Sequence, residues 1–96
     1  MREIERSSAF KKDIRREGKG RNLAALNAIL PDVLTALVND VPLDAKYQDH
    51  NHKLTGDWEG YRSCHLKTDL LLIYEKPDEE TLHLARLGSH SKLYGL

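Results

Sequence analysis

One segment of this sequence constrains the fold more than any other, the run NLAALNAILPDVLTALVND at positions 22–40. Its leucines and valines recur at steps of three and four residues, which is the period of an α-helix with one apolar face. Pro31 lies inside this pattern and has no N–H to contribute to the helical ladder. The segment therefore predicts a helix facing the core that either kinks at Pro31 or breaks there, with Pro31 opening a new helical turn.

The residues before this segment predict one strand and one helix. REIER at 2–6 alternates well enough for a short strand, and SSAFKKDIRREGKG at 7–20 follows it as a helix. Ser7 or Ser8 is suited to cap the helix, because its hydroxyl can accept a hydrogen bond from a first-turn N–H group. Phe10 and Ile14 lie four positions apart on one face, so this helix should bury a narrow stripe.

The C-terminal half contains three candidate strands, YRSCHLK, DLLLIYEK and TLHLARLG. The run LLLIY is continuously apolar, as expected of a central strand covered on both faces. KPDEE supplies a short turn between the last two strands, which should therefore form an antiparallel hairpin. The order of elements predicts an α+β two-layer domain in which two N-terminal helices pack on a mostly antiparallel four-stranded sheet.

Size and charge limit the classes of protein this chain can belong to. Its 96 residues suffice for a single domain, 1–96, and its 15 basic and 15 acidic residues give no general reason to expect nucleic-acid binding. Residues 1–22 nevertheless hold eight basic and four acidic side chains, which fits either phosphate contacts or a solvated helix face. No apolar run reaches the roughly 18 residues of a membrane span. The charged N-terminus does not suit a signal peptide, and the single cysteine, Cys64, cannot form an internal disulfide, so we expect a cytoplasmic protein.

Five histidines are many for a chain of this size, and imidazole is the side chain best suited to exchange protons near neutral pH. His65 lies on the first C-terminal strand and His90 just after the last strand. Asp69 opens the middle strand, and Arg86 lies near the end of the last one. If the three strands lie in one sheet, their ends and the long loop at 45–60 can bring these side chains together on one concave face. Such a set suits phosphoryl chemistry on a substrate that carries its own nucleophile, as RNA does in its ribose 2′-OH.

Several of these residues also have an ordinary structural interpretation. His50 and His52 can be solvated loop residues, Arg86 can be part of an ion pair, and Tyr94 can be a packed terminal aromatic. His83 should face the opposite side of the sheet from Arg86, so we leave it out of the site. The loop sequence HNH could bind a metal, but no further ligand stands at a recognised spacing, so we predict no metal site.

From position 41 onward the sequence resembles the YafQ branch of the RelE superfamily, the toxins of bacterial type II toxin–antitoxin pairs. The resemblance is carried by VPLDAKYQDH, GDWEGYRSCHLKTDLLLIYEK and LARLGSHSKLYG, whereas the first third agrees only in its order of elements. It implies a RelE-like fold and a ribosome-dependent endoribonuclease that cuts mRNA in the ribosomal A site. The reaction it implies needs no metal or other cofactor and leaves a 2′,3′-cyclic phosphate. The implied partners are the ribosome, mRNA, a cognate antitoxin and, only through the antitoxin complex, operator DNA.

The resemblance also implies roles for individual residues. Arg86 would contact the scissile phosphate, and His90 would be the general acid. The residues implied to be catalytic are His50, His65, Asp69, Arg86 and His90. The residues implied to bind substrate are Tyr94, Leu70 and His52.

The sequence departs from the family pattern at three places. The loop after YQD is longer by two residues, so matching from YQD selects His50 as the catalytic loop histidine and matching back from GDW selects His52. We favour His50, because the upstream match is continuous. Ser63 stands where an acid is frequent, and Leu70 replaces a frequent tryptophan. Ser63 and the altered loop motivate the alternative prediction, a catalytically decayed module that only binds an antitoxin or contributes to operator DNA binding.

Overall fold

Four strands and four α-helices make up the part of the chain that the structure, a computed structural model, describes: residues 1–47 and 60–94. The strands are β1 (Glu3–Arg6), β2 (Arg62–Lys67), β3 (Leu70–Glu75) and β4 (Thr81–Gly88). The helices are α1 (Ser8–Glu17), α2 (Leu23–Ala28), α3 (Leu30–Val38) and α4 (His90–Tyr94), with a 3-10 turn at Ala45–Tyr47. Within these ranges no helix is long and apolar enough to cross a membrane.

The four strands form one sheet in the order β1-β4-β3-β2. β3 is antiparallel to both of its neighbours, and β1 runs parallel to β4 at the edge. A parallel pair needs a long crossover connection, which here contains the N-terminal helices and the other two strands. The predicted α+β class and the mostly antiparallel four-stranded sheet are confirmed.

Ser7 connects β1 to α1 and to the centre of the sheet. Its hydroxyl accepts a hydrogen bond from the Phe10 N–H (2.9 Å) and donates one to the Ala85 carbonyl (2.7 Å). It is therefore the cap of α1, one of the two predicted candidates. The second bond holds the start of the helix against β4.

The long amphipathic segment forms two helices rather than one. α2 ends at Ala28 and α3 begins at Leu30, with Pro31 in the first turn of α3. A proline is tolerated there because first-turn N–H groups have no helical acceptor. The break, one of the two predicted outcomes, is the one that occurs.

The core lies mainly between the helices and one face of the sheet. On that face, Leu72 and Tyr74 of β3 are buried against residues of α1 and α3 such as Phe10 and Val33. A smaller cluster covers the other face and consists of Leu71, Ile73, Ala85 and Leu93. β3 is thus covered on both faces, as its continuous apolar run predicts.

A β-bulge in β4 changes which side chains share a face. Leu84 pairs with Tyr74, but Arg86 pairs with Ile73, so Ala85 is an extra residue in the ladder. His83 pairs with Glu75, which is two residues from Ile73 and faces the same way. His83 and Arg86 therefore lie on the same face, and the prediction that they oppose each other is wrong because it assumed uninterrupted alternation.

Candidate active site

The sheet face opposite the main helices presents the predicted site residues in successive rows. His65 of β2 pairs with Leu71 of β3, and one row further along Arg86 of β4 pairs with Ile73. Directly paired residues point to the same face, and rows two residues apart lie roughly 7 Å apart. The fold therefore brings His65 and Arg86 to adjacent rows of one surface.

Three site residues meet at the end of this face. The His65 and His90 rings lie with their centroids 5.4 Å apart and tilted by 40°. Asp69 Oδ1 accepts a hydrogen bond from the His90 N–H (3.2 Å) and lies 3.4 Å from His90 Nδ1. The predicted convergence of two imidazoles and a carboxylate is thus present in the structure.

Local sequence accounts for the placement of this cluster. Thr68 and Asp69 are the two residues between β2 and β3, a position where a short side chain that accepts hydrogen bonds is favoured. His90 follows β4 after one residue and begins α4. The turn and the helix start therefore meet at the same end of the sheet.

The electrostatics of the cluster favour an ionised carboxylate. Hydrogen bonds from the backbone N–H and then the side chain of His90 lower the pKa of Asp69 below its ordinary value. Asp69 and His90 remain largely exposed, with 58% and 46% of their side-chain surfaces accessible. A substrate can therefore reach both groups from solvent.

Arg86 is fixed by hydrogen bonds to a carboxylate of α1. Its Nε and Nη2 donate to Asp13 Oδ2 (2.7 Å) and Oδ1 (3.1 Å), and 27% of the Arg86 side chain stays exposed. Asp13 is itself 2% exposed and also accepts from the Leu87 N–H (2.9 Å) and from Arg16 Nη1 (2.8 Å). The guanidinium is therefore fixed in position at the edge of the face.

The pKa of Asp13 reflects two opposed effects. Burial alone would raise it, but hydrogen bonds from Arg86, the Leu87 N–H and Arg16 outweigh burial and hold it below the ordinary value. The carboxylate is therefore charged at neutral pH and suited to pair with two guanidinium groups. Sequence reasoning missed Asp13; the available signal was an acid next to Ile14 and three residues from Phe10, within the apolar stripe of α1.

The surroundings of His65 are basic. Lys46 and Lys67, together with Thr68, line a cleft of about 290 Å³ next to His65. Ammonium groups beside an imidazole favour a phosphate-bearing ligand. No group of three or more His, Cys, Asp or Glu side chains suited to a metal ion is present in the described parts of the chain.

The remaining predicted site residues are placed as follows. His50 and His52 lie outside the described residues, as does the side chain of Tyr94, the last residue of α4. Leu70 has 0% of its surface exposed and belongs to the main core. The prediction that Leu70 binds substrate is therefore corrected: on β3 it packs against the helices and cannot contact a ligand.

Comparison with known protein families identifies the class of protein, the toxins of bacterial type II toxin–antitoxin systems. A family model described as "Bacterial toxin of type II toxin-antitoxin system, YafQ" matches residues 2–95. The chain belongs to the YafQ family, as the sequence resemblance predicts.

Individual relatives agree with this family along almost their whole length. The protein named mRNA interferase toxin YafQ of Escherichia coli strain K12 is 38% identical over 96 residues, covering 99% of this chain and 98% of that protein. The crystal structure of YafQ from E. coli strain BL21(DE3) matches with a TM-score of 0.80 and 35% identity, covering 99% of this chain and 100% of that one. A YafQ chain in a crystal structure of the E. coli DinJ-YafQ complex matches with a TM-score of 0.79 and 36% identity, with the same coverage.

Proposed function

We propose that this chain is the toxin of a type II toxin–antitoxin pair and a ribosome-dependent mRNA endoribonuclease. It cuts mRNA in the ribosomal A site by attack of a ribose 2′-OH on the adjacent phosphate, which leaves a 2′,3′-cyclic phosphate. The observation that carries the proposal is the convergence of His65, Asp69 and His90 on the face that also holds Arg86. The name of the E. coli relative, an mRNA interferase toxin, supports the same activity.

The reaction needs a base, an acid and a cation. A base removes the 2′-OH proton, the 2′-oxygen bonds to phosphorus, the bond to the 5′-oxygen breaks, and an acid protonates that oxygen. His90 is the acid, and the Asp69 carboxylate orients its ring. His65, whose ring centroid is 5.4 Å from that of His90, is the candidate for the base among the described residues. His50, and after it His52, are the alternative candidates for the base, and both come from the loop.

Arg86 stabilises the charge that builds up on the phosphate oxygens in the transition state. A guanidinium is always charged and can bind two phosphate oxygens at once. Because Asp13 already fixes two of its N–H groups, the cation does not have to be reorganised during the reaction. Tyr94 is proposed to support the site or stack on a base.

In this proposal the substrate is mRNA bound to the ribosome, and both are partners of the toxin. The proposal also requires a cytoplasmic location. A cognate antitoxin is proposed because the E. coli relative has been crystallised with DinJ. Operator DNA would be reached only through that complex. Co-expression of the cognate antitoxin should restore growth to cells that produce the toxin.

The decisive experiment compares wild type with His90→Gln on ribosomes programmed with a defined mRNA. Primer extension should detect discrete cuts within codons for the wild type and a loss of roughly 10²- to 10⁴-fold in rate for the variant. Ser91→Ala, at an exposed position next to His90 on α4, is the matched control and should cut normally. Equal rates for His90→Gln and wild type would remove His90 from the mechanism.

The alternative function is a catalytically decayed module that binds only an antitoxin or operator DNA. Ser63, which is 4% exposed and pairs with Ile73 on the site face, favours it because it supplies no carboxylate there. The same assay separates the two functions, since a pure binder leaves no cuts in the message.

A further inference from the structure

Three side chains at the other end of the site face form a cluster that the mechanism above does not use. His83 Nδ1 lies 3.2 Å from Glu75 Oε1, and the Tyr61 and His83 ring centroids are 6.3 Å apart with the planes tilted by 54°. Burial, and then the charge of Glu75 and a hydrogen bond with it, raise the pKa of Tyr61, so its phenol stays protonated at neutral pH. Glu75 thus lies between two aromatic rings and interacts with both.

The strand register places this cluster directly beside the phosphate-binding arginine. Glu75 pairs with His83 one row beyond the pair of Ile73 and Arg86. Arg62 pairs with Tyr74, so the preceding residue, Tyr61, stands beside Glu75 in the same row. The row of Tyr61, Glu75 and His83 is therefore roughly 7 Å from the row of Arg86.

The cluster presents two partly exposed rings tilted by 54° to each other, so a planar base that stacks on one ring would meet the other at an angle. The side chains of His83 and Glu75 are each 27% exposed, and Tyr61 is partly exposed. Because both rings contact a common carboxylate, little conformational entropy is lost when a ligand settles on them. Single-stranded RNA is commonly bound by aromatic side chains on which its unstacked bases lie.

We propose that the rings of Tyr61 and His83 form a stacking platform for the base of a nucleotide next to the scissile phosphate. This inference rests on the proposed function, since it adds a base subsite to the same face. Glu75 acts as a positioning residue that holds both rings. Arg86 binds the phosphate and the platform binds the neighbouring base, so the message is held on two sides of the bond that breaks.

The competing interpretation is that the three side chains only tie β2, β3 and β4 together. Both interpretations predict some loss of stability when a ring is removed. Only the platform predicts that a ring and one particular base act as a pair, which a double-mutant cycle between protein and RNA can measure.

The test uses ribosomes programmed with a set of mRNAs, each with one abasic nucleotide at a position flanking the cut. Wild-type toxin should cut one of these messages roughly 5- to 150-fold more slowly than the intact one, the range expected for loss of one stacked base. His83→Leu and Tyr61→Leu, which keep apolar bulk but remove the ring, should cut the intact message more slowly. Each variant should lose much less additional rate at that abasic position than the wild type does, because one of the two rings is gone.

Two matched variants separate stacking from hydrogen bonding. His83→Phe and Tyr61→Phe keep a ring that can still stack but lose a polar contact with Glu75, so they should keep most, though not all, of the wild-type rate penalty at the abasic nucleotide. Thermal melting confirms that each variant is folded before its rate is compared. The platform is overturned if the abasic penalty is the same in the Leu variants and the wild type, or if it disappears in the Phe variants. A wild type that fails to cut intact mRNA would instead overturn the proposed function.

Discussion

Asp13 and Arg86, 73 positions apart in the chain, are joined by two hydrogen bonds of 2.7 and 3.1 Å between carboxylate and guanidinium. The carboxylate is 2% exposed, whereas 27% of the arginine side chain faces solvent. One end of the pair therefore belongs to the interior and the other to the candidate active site. In the proposed mechanism Asp13 is a positioning residue, because it fixes the guanidinium that would contact the substrate phosphate.

Asp13→Asn should lower both stability and activity. The variant keeps an oxygen for the Leu87 N–H but leaves two guanidinium groups without their carboxylate, at a cost of roughly 1–3 kcal/mol in the free energy of unfolding. Urea unfolding measures this loss. Asp32→Asn, an exposed acid in the first turn of α3, is the control and should cost under about 1 kcal/mol.

The role of Asp13 in activity can be separated from its role in stability. In a ribosome assay at a temperature where the variant is folded, Asp13→Asn should cut more slowly than wild type, and adding it to Arg86→Ala should change little, because both act through one cation. Additive losses would contradict the positioning role.

Asp40 should make stability sensitive to acid. Lys76 Nζ (2.7 Å) and Arg2 Nε (2.9 Å) contact its carboxylate, and the hydrogen bonds with Lys76 and then Arg2 lower its pKa from 3.8 to about 2. A lowered folded pKa means that the stabilisation is complete above 3.8 and is lost as the pH falls through about 2. Urea unfolding between pH 5 and pH 2 should therefore show a steeper decline for wild type than for Asp40→Asn.

Asparagine is the appropriate replacement because Asp40 has a φ of 56°, a left-handed conformation that asparagine tolerates. Since the carboxylate is exposed, about 1 M salt should bring the two acid profiles together. Profiles that stay apart at high salt would show that the difference does not come from these ion pairs.

Ser7→Ala should destabilise the protein more than Ser8→Ala. The Ser7→Ala substitution removes both the cap of α1 and the hydrogen bond to the Ala85 carbonyl. Ser8, in contrast, is exposed in the first turn of the helix. Loss of a helix cap costs roughly 1 kcal/mol, with a range of about 0.5–2. Thermal or urea unfolding of the two variants checks the difference, and equal effects would exclude the cap as its source.

Asp69→Asn should slow cleavage less than His90→Gln does, because the amide can still accept from the His90 N–H but no longer orients the ring by charge. If Asp69 acts through His90, the double variant should be no slower than His90→Gln alone. Single-turnover rates on programmed ribosomes measure this. Asp78→Asn, at the turn beyond the opposite end of β3, is the control and should cut at the wild-type rate.

Periodicity in the sequence predicted the elements that depend on local burial. The steps of three and four residues in α2 and α3 and the continuous apolar run of β3 were readable, because each reflects which face of one element is covered. Pro31 indicated either a kink or a break, and packing decided for the break. The convergence of His65, Asp69 and His90 was also predictable once the strands were paired, since strand ends and turns carry these residues.

What the sequence by itself determined is therefore the four strands, the helical segments between the first and second strands, their order and the chemical types of the site residues. The tertiary structure decided the partner of Arg86, the face of His83 and the burial of Leu70. These depend on one extra residue in β4 and on a helix packed against a strand far away in the chain. Local patterns record how an element is buried, whereas register and long-range pairing are settled only when the elements pack together.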